Sequence, residues 1–296
     1  MIEPAGALLI VRSVFTLTAL LLWGGSACLL LIADQTLRDG LWQRLRRWGV
    51  SAVMLGGLST LATLPILTAS IGSGWTDARS PSMFGLVATK TLVGSAWIWQ
   101  LAAFLVLGLV LIVPGMRCPA GIAIATSLML ATLTVSGHTA MHEGAIGVLH
   151  RFNDWGHLLA GGFWLGALVP VVMLLGQLRQ PSRRLGAIDA LIRFSTAGHL
   201  AVAVALLTGV VNTWLVVGTW PPDPDVLYQR ALWLKVAMVG ILIMMAIYNR
   251  YRLVPRLSRE TDALDTLRRV SIMEIVLLIG VVTLVVWFGT LSPDQG

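Results

Sequence analysis

Charge is what this sequence has least of. Only 12% of its 296 residues are Asp, Glu, Lys or Arg, against roughly 25% in a soluble domain. Apolar types make up 56%, and mean hydropathy is +0.82. A soluble fold of this size cannot hide that much apolar surface, so the solvent is lipid. The apolar excess also excludes a disordered chain. Cysteine is nearly absent: Cys28 and Cys118 alone cannot build a disulfide scaffold. No GxxxxGK[ST] stretch occurs, so ATP is not the expected energy source. His142-Glu143 does not begin an HExxH motif, because Ile146 stands where the second histidine is needed. A zincin-type hydrolase is therefore unsupported, and no enzymatic activity is expected. Acids are scarcer than bases, 14 against 21, giving a net charge of +7. Nucleic acid is rejected as a partner, because the bases sit in short gaps between apolar runs, as in the positive-inside pattern of membrane proteins.

A helix needs about 20 apolar residues to cross a bilayer. Eight segments qualify: 6–33, 48–72, 86–113, 119–137, 153–178, 194–219, 229–253 and 271–292. The first follows an acid rather than a base and is too long for a signal peptide, so it is read as a span. The gaps after spans 1, 3, 5 and 7 hold fifteen arginines: Arg38, Arg44, Arg46 and Arg47; Arg117; Arg179, Arg183, Arg184 and Arg193; Arg250, Arg252, Arg256, Arg259, Arg268 and Arg269. The gaps after spans 2, 4 and 6 hold Arg79, Arg151 and Arg230. That asymmetry predicts cytoplasmic odd gaps and both termini periplasmic. The expected fold is an all-α polytopic bundle of eight transmembrane helices, one domain over 1–296. A parallel 4+4 repeat, with halves 1–137 and 138–296, is suggested by Trp23-Gly24-Gly25-Ser26 in span 1 and Trp164-Leu165-Gly166-Ala167 in span 5. Phe84 before Lys90 and Tyr228 before Lys235 add a second match. Gly162 and Gly166 form GxxxG, which lets membrane helices approach closely.

The chemistry concentrates in one stretch. Four of the five histidines, His138, His142, His150 and His157, fall at the outer ends of spans 4 and 5 and the loop between them, with Met141 and Glu143 among them. Clustered imidazole with a thioether is a donor set for copper: imidazole suits Cu(II) or Cu(I) and thioether selects Cu(I), so the oxidation state stays open. A helix over 138–142 would put His138, Met141 and His142 on one face. His157, about one turn inside span 5, has Asp154 three residues earlier as a group to orient it and Trp164 seven residues later on the same face. The competing reading of His157 is a histidine that hydrogen-bonds a neighbouring helix. His150 and His157 join one site only if the helix begins after His150. His199, near the cytoplasmic end of span 6, is a packing residue or an exit ligand. Arg12, Lys90 and Lys235 are read as snorkelling outward, and Glu274 as pairing with Arg268 or Arg269.

These segments together resemble the copper resistance protein D (CopD/PcoD) family. The resemblance is carried by Ser136-Gly137-His138, Asp154-Trp155-Gly156-His157-Leu158-Leu159-Ala160, Trp164-Leu165-Gly166-Ala167-Leu168, Arg193-Phe194-Ser195 leading to Thr208-Gly209-Val210-Val211-Asn212, and Leu234-Lys235 leading to Tyr248-Asn249-Arg250-Tyr251-Arg252-Leu253-Val254-Pro255. Leu267-Arg268-Arg269 followed by Glu274 closes it. The resemblance implies an eight-span protein of the bacterial inner membrane that moves copper from periplasm to cytoplasm, often beside a periplasmic copper-binding protein of the C type. His138 and His157 match the family's histidine positions; Met141, His142 and His150 rest on the cluster argument alone. The expected metal set is thus His138, His157, His142 and Met141, with Asp154, Trp164, His150, His199 and Glu143 in supporting or pathway positions. Two rivals remain at this point: a cytochrome b-like bundle whose haem is held by His157 with His138 or His199, and a copper delivery or assembly factor that does not transport.

Overall fold

The computed structural model describes residues 2–32, 34–256 and 261–293. Arg259 of the basic count and Ala33 at the end of the first predicted span lie outside them. Among the described residues the secondary structure is entirely helical. In chain order the α-helices are α1 (Pro4–Leu30), α2 (Gln35–Ile71), α3 (Pro81–Lys90), α4 (Leu92–Ile112), α5 (Pro119–Thr132), α6 (Gly144–Gln177), α7 (Pro181–Val217), α8 (Leu227–Tyr248) and α9 (Thr261–Phe288).

Seven of these are long and apolar enough to cross a membrane: α1, α2, α4, α6, α7, α8 with the turns that follow it, and α9. The predicted fourth span is the shorter piece, α5 running into a 3₁₀ turn at Leu133–Val135. The predicted third span is broken. Thr91 takes an extended conformation and its hydroxyl caps Gly94 N at 3.0 Å, so α3 and α4 separate there and Lys90 is exposed. Lipid-facing sides carry large apolar groups such as Leu61, Leu207 and Met244, each at least 60% exposed. In lipid such exposure carries no penalty, so the association of these helices depends on packing and on close backbone approach.

That approach centres on α1 and α6. A Cβ on Gly24 would lie 2.1 Å from Gly162 O and 2.8 Å from Gly166 Cα, so only glycine fits at the crossing. Trp23 Nε1 donates across it to Leu159 O at 2.8 Å. The two tryptophan–glycine segments that suggested a repeat therefore pack on each other. The main core lies around this crossing, with Phe15, Ala19 and Leu20 of α1, Trp164, Leu165 and Leu168 of α6, and Leu278 and Val281 of α9. Toward the arginine-rich end, Leu29, Leu37, Leu41 and Leu174 form a second cluster.

α6 begins at Gly144, well before the predicted start at 153. His150 and His157 consequently lie on one continuous helix about 10 Å apart in rise, which rules out the shared site that needed a later start.

Candidate metal centre

The segment between α5 and α6 folds back on the start of α6. Gly137 (φ +78°) and Gly144 (φ +60°) supply the left-handed backbone for the two turns. Between them Gly137–Ala140 is a 3₁₀ turn, so the helical face expected for His138, Met141 and His142 does not form. The Thr139 hydroxyl is 2.8 Å from Thr134 O and 3.1 Å from Ser136 O, which ties the turn to the 3₁₀ turn at Leu133–Val135. Gly147 lies so close to the His142 carbonyl that a Cβ would stand 2.2 Å from it. This lays His142 over α6, against His150 one turn further on.

The His142 and His150 rings meet edge-on, centroids 5.2 Å apart, with Nδ1 to Nδ1 at 3.2 Å. One nitrogen donates and the other accepts, so the two rings hold opposite tautomers. His150 is completely buried, and its Nε2 has no hydrogen-bond partner. A buried polar atom in that state costs about 1–3 kcal/mol, and it faces a cavity.

The cavity measures about 400 Å³ and sits among α1, α2, α4, the 136–139 turn, α6, α7, α8 and α9. His138, His150, Asp154, His157 and Trp164 all line it. His138 packs its ring on Tyr228 at 4.9 Å. On α6, His150, His157 and Trp164 recur every seven residues, so they form one stripe down the cavity wall at steps of about 10 Å.

The tautomer of His157 follows from its neighbours. Its Nδ1 is 3.0 Å from Ala205 O and 3.0 Å from Thr208 Oγ1. A carbonyl only accepts, so Nδ1 carries the hydrogen, and Nε2 is left with a lone pair. The same arrangement orients metal-binding histidines through a carbonyl on the far nitrogen. The structure thus shows the hydrogen bond to the neighbouring helix through one nitrogen, while the other keeps its lone pair. Gly209 makes room, since a Cβ there would be 3.3 Å from His157 Cε1. Asp154 does not orient His157. Its Oδ1 accepts from Asn212 Nδ2 at 2.9 Å, and Asn153 Nδ2 donates to Asn212 Oδ1 at 2.7 Å and Thr208 O at 2.9 Å. These bonds lock α6 to α7 and so hold the His157 ring in place indirectly.

The remaining sequence candidates lie elsewhere. Met141 is 49% exposed, and Glu143 is exposed beside it at the rim. His199 lines a second cavity of about 1050 Å³ toward the arginine-rich end, with Nδ1 2.6 Å from Ser195 O. Trp164 is the one residue found in the lining of both cavities. Among the described residues no three His, Cys, Asp or Glu side chains stand together as a metal-holding group; the imidazoles stand as one pair and as separate rings.

Sequence reasoning undervalued Arg12 and Lys235. Both line the 400 Å³ cavity rather than snorkelling outward. The signal was present: a charge within an apolar span ordinarily faces a bundle interior. With Asp154 as the acid there, the wall carries two basic side chains against one acidic one.

Comparison with known proteins gives the following. Residues 1–148 match the family described as Copper resistance protein D-like, N-terminal domain, and residues 188–288 match Copper resistance protein D. Inner membrane protein YebZ of Escherichia coli (strain K12) is 34% identical over 231 residues, covering 78% of this chain and 79% of that protein. Copper resistance protein D of Pseudomonas syringae pv. tomato is 33% identical, covering 83% and 84%. Copper transport protein CutJ of Bacillus subtilis (strain 168) is 30% identical, covering 94% of this chain but 52% of that protein. Among solved structures, bd oxidase from Geobacillus thermodenitrificans superposes with a TM-score of 0.55 at 11% identity, covering 97% of this chain and 87% of that one, a likeness of fold alone.

Proposed function

We propose, from the premise that this chain belongs to the copper resistance protein D family of multi-pass inner-membrane proteins, that it takes up copper at the histidine-bearing end and passes it along α6 toward the arginine-rich end. By the positive-inside rule the arginine-rich end is cytoplasmic, so the flux is inward. The observation that carries this reading is the stripe His150, His157, Trp164 on one wall of a buried cavity, with a second cavity beginning where the stripe ends.

His142 and His150 form the first station, with His138 on the opposite side of the mouth. Copper takes the place of the hydrogen between the two Nδ1 atoms, that proton moving to Nε2 of the ring that carried it, or copper engages the unpartnered Nε2 of His150. The second station is the Nε2 lone pair of His157. Trp164 then separates the outer cavity from the inner one. Neutral imidazole is a good donor to copper in either oxidation state. The excess of basic over acidic side chains on the wall selects between them: Arg12 and Lys235, where charged, repel a doubly charged ion twice as strongly as a singly charged one. Cu(I) is therefore the favoured cargo. A periplasmic copper-binding protein of the C type is the expected donor to the rim, where Met141 and Glu143 stand exposed.

The test is copper uptake into proteoliposomes with and without ascorbate. Uptake that requires reductant and falls at least tenfold in His157→Ala, with protein level unchanged, supports the reading. Wild-type uptake by that variant would remove His157 from the path. Bound copper without any uptake would favour a delivery factor that does not transport.

A further inference from the structure

Glu274 has no part in the copper path, and its surroundings point to a second ion. It lies in the interior of α9 and is 2% exposed. It does not pair with Arg268 or Arg269. Its Oε1 accepts from Asn249 Nδ2 at 2.8 Å, and among the described residues no ion pair involves it. Asn249 begins the single π-helical turn that ends α8, and its Oδ1 is buried without a hydrogen-bond partner.

Both side chains line the inner cavity of about 1050 Å³. The other charged and titratable groups lining that cavity are Arg250, Arg179, Arg184 and His199. Arg250 donates to Ser195 Oγ. Arg179 is committed to Asp265 at 2.8 Å. His199 uses Nδ1 on Ser195 O. Arg184 makes no ion pair to Glu274.

A carboxylate buried at such a position without a cation partner is costly unless it takes a proton or binds a cation. Two oxygen ligands are few for a metal ion such as calcium, which takes six to eight. They are enough for a proton. The two ends of an amide are nearly interchangeable in shape. With Nδ2 toward Glu274, Asn249 donates to the carboxylate. Turned over, it presents Oδ1 to accept from the protonated acid. One side chain thus satisfies both protonation states of the other.

We propose that Glu274, held by Asn249, is a proton-carrying site on the inner cavity, which receives a proton travelling inward with copper and releases it to the cytoplasmic side. The proposal rests on the copper-permeation reading only for what the proton accompanies; the site itself stands on Glu274 and Asn249.

Infrared spectroscopy of the purified protein tests the site. The expected result is a protonated-carboxyl C=O band that titrates with pH, is absent in Glu274→Gln, and is shifted in position and titration range in Asn249→Ala. No titrating band lost in Glu274→Gln overturns the proposal. So does erasure of the band by sodium at constant pH, which would assign the site to a metal cation. Proteoliposomes test the coupling. An acid-outside gradient is expected to raise copper uptake several-fold in wild type and to have no effect in Glu274→Gln, while copper binding is equal in the two. Uptake indifferent to the gradient in wild type overturns the coupling and leaves the copper reading intact. A titrating band with no copper uptake at all overturns the copper-permeation reading and leaves the proton site intact.

Discussion

Replacing His150 with leucine separates stability from function at the mouth of the outer cavity. His150 is fully buried, makes one hydrogen bond through Nδ1 to His142, and leaves Nε2 without a partner. Leucine has similar bulk and no polar atoms. The substitution removes the buried unpartnered atom, a gain of about 1–3 kcal/mol. It also removes one hydrogen bond, a loss of about 0.5–1.5 kcal/mol. His142 is only partly buried, so its released nitrogen finds water and adds little cost. The balance runs from about 0.5 kcal/mol against the variant to about 2.5 kcal/mol in its favour. Copper binding moves the other way. Losing one of two paired nitrogens weakens the first station at least tenfold, about 1.4 kcal/mol. Thermal unfolding in one fixed detergent measures the first quantity, and copper titration against a competing chelator measures the second. A variant less stable than wild type by more than about 1 kcal/mol would show that Nε2 is satisfied in the protein. Unchanged copper affinity would show that the His142–His150 pair is a packing contact.

Three other outcomes follow from the geometry. Gly24→Ala places a methyl against the Gly162 carbonyl and the Gly166 backbone; because neither is the end of a flexible side chain, α1 and α6 must separate, and unfolding measurements should show a loss of about 1–3 kcal/mol. Trp164→Ala joins the outer and inner cavities, so dye-loaded proteoliposomes should leak small cations severalfold faster than wild type, whereas Trp164→Phe should stay tight. Lys235→Met removes a basic side chain from the copper cavity and should tighten copper binding by about tenfold, the equivalent of roughly 1.4 kcal/mol; weaker binding would refute the charge argument. A purified preparation with a Soret band would instead bring back the haem reading of His157.

The sequence read the fold class from hydropathy and loop charge, because an apolar run of bilayer length has few other fates and arginine counts sum over the whole chain. It also marked the residues of the α1–α6 crossing: Gly162 and Gly166 as a close-approach motif and Gly24 within a suggested repeat, and only the packed helices show that they face each other. The break at Thr91 was hidden, since hydropathy is blind to a single capping hydroxyl.

At the candidate site, residue types were legible and partners were not. Imidazole clustered over 138–157 announces metal chemistry by composition alone. The pairing of His142 with His150 depends on where the chain reverses, and that is decided by the left-handed turns at Gly137 and Gly144 and by Gly147 against the His142 carbonyl. Asp154 bonds Asn212, fifty-eight residues away, a choice made by the docking of α7 on α6 and by no local spacing. Lys235, Arg12 and Glu274 each stood out as a charge in an apolar run. Which cavity each would face depends on helix rotation, and rotation is set by the side chains of every neighbouring helix together.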